Sequence, residues 1–133
     1  MIRRIGAVLS GIVAAVLLFM VAESINNSLH PFPKTLDLKD TKAVGAFMEA
    51  QPIDFWLLVL GGWLVGSIVC GLLIRIIGRS TSLRSPLIAG IVLTLSAVLN
   101  FVLLPHPTWF IVCGLVLFIP GTLLGFRLVK QAT

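Results

Sequence analysis

Long apolar runs separated by short polar breaks set the pattern of this chain. Ile5 to Ile25 is apolar apart from Ser10, Glu23 and Ser24. Phe55 to Ile77 carries one charge, Arg75, near its end. Leu87 to Leu104 holds Thr94, Ser96 and Asn100 and no charge, and Thr108 to Val129 carries only Arg127. A helix crosses a hydrocarbon core of roughly 30 Å with about 20 mostly apolar residues. The pattern therefore predicts an all-α polytopic membrane protein, a single transmembrane domain over residues 1–133 with spans at 5–25, 55–77, 87–104 and 108–129. The connections at 78–86 and 105–107 are short, and the loop at 26–54 is the only long one.

Within that loop, His30-Pro31-Phe32-Pro33 stops any continuation of the first helix, because each proline lacks a donor and restricts the residue before it. A helical pattern then restarts. Asp40 or Thr41 suits an N-cap. Val44, Phe47 and Met48 follow at i, i+3, i+4 spacing, and Pro52 ends the segment. Residues 41–50 are expected to form a short amphipathic helix at the membrane surface. It either shields the ends of the first two spans or acts as a gating lid.

Composition supports the membrane reading. Apolar residues make up 58% of the chain and charged residues 11%, against about 45–50% and about 25% in soluble domains. Such a chain is neither disordered nor a disulfide-stapled secreted module. The first span is longer than a signal-peptide core and ends without a good cleavage site, so it is expected to be retained. Arg3, Arg4, Arg75, Arg79, Arg84, Arg127 and Lys130 flank the spans on one side. The 26–54 loop instead mixes Lys34, Lys39 and Lys42 with Asp37, Asp40, Glu49 and Asp54. The positive-inside rule then places both termini in the cytoplasm of a cell whose inner membrane holds the protein. The basic balance needs no nucleic-acid partner; it fits the lipid bilayer and its anionic headgroups.

Small residues at four-residue steps mark helix packing in membranes. They include Gly6, Ser10 and Ala14, with Gly11 and Ala15 beside them; Gly62, Gly66 and Cys70; and Gly121 and Gly125. So many stripes point to a homo-oligomer or a membrane-protein partner as well as to packing within one bundle. Pro120 is expected to kink the last span by freeing the Val116 carbonyl, as a static bend or as a hinge. Cys70 and Cys113 fall at different depths, so no disulfide is expected. Trp56 and Trp109 open spans at the outer interface, and Trp63 is expected to pack against a neighbouring helix.

Candidate chemistry gathers at the outer side. Glu23, Asn27 and His30 share one helical face if the first helix runs that far. Asn100 lies at a similar depth in the third span, and His106 lies just beyond that span's end. Three readings of this cluster stay open. It is a structural polar network, an ion- or solute-binding site, or a metal site using His30 and His106. No nucleophile elbow, zinc-protease, CxxC, Walker or dinucleotide signature occurs, so catalysis is not expected and no cofactor is identified.

Glu23-Ser24-Ile25-Asn26-Asn27 with His30-Pro31, the Asp37 and Asp40 segment, and Pro105-His106-Pro107-Thr108-Trp109-Phe110 resemble an uncharacterised family of small bacterial four-helix integral membrane proteins. The resemblance spans most of the chain. It implies a bacterial inner membrane and supplies no activity. Small multidrug exporters also carry a carboxylate in the first of four helices, but deeper, and without a loop like 26–54. The leading expectation is a homo-oligomeric conduit or transporter for an ion or small solute. The alternative is a non-catalytic accessory or assembly subunit of a larger membrane complex.

Overall fold

The computed structural model describes residues 1–130. Five helices follow in order: α1 (Ile2–Leu29), α2 (Thr41–Glu49), α3 (Ile53–Gly78), α4 (Arg84–Leu103) and α5 (Thr108–Leu128). Four of them, all but α2, are long and apolar enough to cross a membrane. The protein is thus an all-helical, multi-pass bundle with one short extra helix in its longest loop. α1 and α3 run longer than their apolar cores at both ends. α1 continues four residues past Ile25, and at 28 residues and ~1.5 Å per residue it is about 42 Å long. Its first and last turns therefore reach beyond the hydrocarbon.

One end of the bundle carries α2, the 30–52 loop and Pro105–Pro107 and is called the loop end. The other carries Met1, Arg3, Arg4 and residues 79–84 and is called the basic end. α3 is the central helix, packed extensively on α1 and on α5, while α4 packs mainly on α5. α1 and α4 meet only sparsely, as do α3 and α4.

Glycine explains the tight seams. A methyl group on Gly71 would overlap the Thr122 carbonyl, and one on Gly125 would overlap the Ile68 carbonyl. α3 and α5 are therefore in backbone contact towards the basic end. Gly62 lies against Ala22, Gly66 against Phe19 and the Ala15 carbonyl, and Gly121 against Ser67. The stripes of α3 and α5 and the Gly11–Ala15 pair of α1 are in this way used inside one chain, whereas Gly6 and Ser10 are exposed. Gly6 and Gly61 are the ones left with open space beside them. Thr122 ties α5 to α4 through a hydrogen bond from its Oγ1 to the Pro86 carbonyl at 2.9 Å. α5 runs as one helix through Pro120, which lies on its exposed face.

Arginines close the basic end. Arg3 Nε donates to the Ile77 carbonyl at 2.6 Å. Arg75 donates to the carbonyls of Val129 and Ser80 and lies over the Phe126 ring. Each of these donors satisfies a carbonyl that a helix end leaves without a partner or that the following loop exposes.

Candidate functional site

Local sequence sets the frame of the loop end. α1 stops at Leu29 because Pro31 disfavours helical geometry at His30, whose φ of −131° and ψ of 68° lie outside the helix. α2 starts at Asp40, whose carboxylate accepts from the amides of Lys42 and Ala43. Its Val44 and Met48 are buried, and Phe47 stacks on Phe32 at 4.7 Å between ring centroids. α2 touches the bundle through side chains and loops, with Gly45 facing Pro105, and not through close helix–helix packing. It lies over the loop end as a cover.

Beneath that cover lie three neighbouring cavities. A vestibule of about 500 Å³ is bounded by Met48, Glu49, Gln51, Trp56, His106 and Trp109, among others. Below it lies a chamber of about 280 Å³. Met48, Trp56 and His106 line both, so they form the partition between them. The chamber in turn shares Glu23, Trp63 and Asn100 with a cleft of about 140 Å³. That cleft opens in the α1–α4 seam, with Phe19 on one side, Leu93, Ser96 and Ala97 on the other, and Trp63 and Phe118 at its floor. Neighbouring spaces that share lining residues thus run from the loop end of the bundle towards its α1–α4 side.

The chamber wall is aromatic. Trp63, 5% exposed, holds ring contacts with Phe19, Phe101, Phe110 and Phe118 at 5.2–6.4 Å between centroids. Trp56 packs on Phe55 and Phe110 at 4.9 Å each. Edge and tilted geometries of this kind hold the rings in fixed places. The polar lining is Glu23, Asn26, Asn27, Asn100 and His106. No lysine or arginine lines the vestibule, chamber or cleft.

Asn26 is the telling member. It is 3% exposed, and its side-chain oxygen has no hydrogen-bond partner. A buried acceptor left unpaired costs about 1–3 kcal/mol, and in a native fold it calls for an explanation such as a bound donor. His106 stacks on Phe110 at 5.3 Å and receives the edge of Phe101. Its Nδ1 lies 2.7 Å from the Leu104 carbonyl. A carbonyl only accepts, so Nδ1 carries the hydrogen and Nε2 of the neutral ring is an acceptor. Burial pushes the His106 pKa below its ordinary value, and the Leu104 hydrogen bond works in the opposite direction.

Of the residues singled out in the sequence, the structure brings Glu23, Asn27, Asn100 and His106 to one chamber. His30 leaves the group. It follows the last helical residue, so its side chain departs from the Glu23–Asn27 face and pairs with Asp54 at 3.4 Å, beside the Phe55 ring. Among the described residues no lysine, arginine or histidine lies within pairing distance of Glu23. Nor does any group of three or more His, Cys, Asp or Glu side chains there have the arrangement to hold a metal ion. His30 and His106 engage different partners, which leaves the metal reading without a ligand set. Cys70 is buried and Cys113 exposed, both as free thiols.

The sequence reading missed Asn26, although a signal was present. Gly11, Ala15, Ala22 and Asn26 follow one another at steps of four, seven and four along the buried face of α1. The small-residue stripe thus points straight at the asparagine. No protein-family model matches the chain, and neither does any curated protein or solved structure.

Proposed function

We propose that this chain is a solute-binding membrane protein whose loop-end chamber serves the passage of an ion or small solute. The observation that carries the reading is the unpaired Asn26 oxygen, set in a chamber that also holds the Glu23 carboxylate. Ionisable and unsatisfied polar groups at membrane depth are expensive and mark pathways for substrates and ions. The protein is read as non-enzymatic. The loop end is read as the outer side of a bacterial inner membrane, with both termini cytoplasmic. Support comes from the seven lysines and arginines at the basic end.

Passage across the whole membrane requires movement at the basic half, where α3 and α5 touch backbone to backbone at Gly71 and Gly125. Pro120 lies beside that crossing and supplies the point of flexure.

The test is reconstitution into liposomes, with solute uptake and retention compared between the native chain, Glu23→Gln and Asn26→Leu. Both variants are expected to lose about tenfold or more in flux or binding, as for a hydrogen bond to a charged group. Native behaviour in both would remove the chamber from the function.

A second reading, the accessory subunit, draws on one observation. An apolar groove of about 270 Å³ between α3 and α5 is lined by Leu57, Leu60, Gly61, Leu64, Cys113 and Leu117, and Gly61 has open space beside it. Such a groove suits a helix of a second copy or of another membrane protein. Native mass spectrometry of the protein gently extracted from its own membrane separates a defined homo-oligomer from a larger complex.

A further inference from the structure

We infer that the solute is a protonated, lipophilic amine, held with its ammonium group between Glu23 and Asn26 and its apolar body in the cleft between α1 and α4. This inference rests on the solute-site reading above and gives it a substrate class.

Charge sets the sign. Glu23 lines both chamber and cleft, and Glu49 lines the vestibule. No lysine or arginine lines any of the three spaces, so an anion would meet carboxylates without compensation. Hydrogen bonding sets the head group. The free Asn26 oxygen accepts and does not donate. An ammonium group with N–H donors satisfies it and pairs with the Glu23 carboxylate as well. A quaternary ammonium has no such hydrogen, and a bare metal cation would need ligands that are not gathered here.

Aromatic faces set the environment of the head. Trp56, Trp63, Phe55 and Phe110 line the chamber, and ring faces attract cations, tryptophan most of all. The cleft sets the tail. Phe19, Leu93, Ala97 and Phe118 make it apolar, and it shares Glu23 and Asn100 with the chamber. Because the cleft lies in the sparsely packed α1–α4 seam, an apolar tail extends from it into the bilayer without leaving an oily environment. The ligand is therefore amphiphilic in the same sense as the cavity, polar towards the loop end and apolar towards the lipid.

The experiment measures binding by calorimetry to the full chain in nanodiscs, with protein-free nanodiscs subtracted. The probes are octylamine, N-acetyloctylamine and octanoate at about pH 7, where an alkylamine is protonated, as lysine is. Octylamine is expected to bind about tenfold or more tighter than the other two, and Glu23→Gln is expected to erase that preference. Ser96 lines the cleft and not the chamber. Ser96→Trp is therefore expected to weaken octylamine binding while helicity stays native. Equal binding of the amide or the carboxylate would overturn the amine assignment and leave the solute site standing. Failure of all three probes to bind would overturn both. Unchanged octylamine affinity in Ser96→Trp would overturn the placement of the tail.

Discussion

Asn26 combines burial with an unpaired acceptor, a combination that costs stability. Its amide oxygen is buried and unpaired, so replacing it by an apolar group of similar shape removes a desolvated acceptor. Asn26→Leu is expected to leave the melting temperature in detergent unchanged or raise it, by up to the equivalent of about 1 kcal/mol, while lowering ligand binding. A destabilised variant would show that the oxygen has a structural partner instead. His106 makes a second prediction at this scale. Burial holds its pKa below 6.5, so the unfolded chain binds more protons than the folded one between the lowered value and 6.5. Stability should then rise with pH through that window and be fully present above it. The charged groups sharing its cavities are Glu49 in the vestibule and Glu23 in the chamber. Thermal melts of the native chain and His106→Gln across acidic pH check this, and identical pH profiles would contradict it. Residue identity was partly legible in the sequence. Polar residues inside apolar runs, Glu23 and Asn100, stand out because the bilayer penalises them. Asn26 did not stand out, because it sits where the run ends and polarity is ordinary. His30 shares the Glu23–Asn27 face only if the helix reaches it, and α1 ends one residue earlier, at Leu29.

At the scale of elements, apolar length and capping chemistry did most of the work. The four spans follow from runs of about 20 apolar residues, and the structure extends the first two runs at both ends and the third at its start, while α5 keeps to its run. The N-cap of α2 was readable because a carboxylate at Asp40 is what a helix start needs, and it bonds the amides of Lys42 and Ala43. Asp40→Ala is expected to cost about 1 kcal/mol of local helix stability. Since α2 holds Met48 in the partition above the chamber, the loss should appear as faster hydrogen exchange over residues 41–49 with little change in the spans. Equal protection in the variant would mean that the cap does not hold the cover in place. Which stripe faces which helix was not legible, because small residues at four-residue steps mark closeness without naming the partner. The structure assigns Gly71 and Gly125 to one crossing. Gly71→Leu should be strongly destabilising, by about 1–3 kcal/mol or more, since the overlapping Thr122 carbonyl belongs to backbone that moves only with the helix. A native melting temperature for Gly71→Leu would show that the crossing is looser than drawn.

Across the whole molecule, packing is uneven, and the unevenness carries the functional account. α3 is held tightly on both sides, whereas the α1–α4 seam is loose and opens into the cleft beside Glu23. The tight seams lie where glycines let backbones meet, and the loose one lies where polar residues and aromatic rings leave space between the helices. On the proposed function, Glu23 faces a space open to water and solute and not a closed helix contact. Cysteine labelling tests it most directly. In a Cys113→Ala background, Glu23→Cys is placed in liposomes and treated with a water-soluble maleimide, with Lys34→Cys in the exposed loop as reference. The expected result is labelling of Glu23→Cys from the water phase, as for Lys34→Cys. Failure to label with the water-soluble reagent, together with reaction towards a lipid-soluble one, would contradict it.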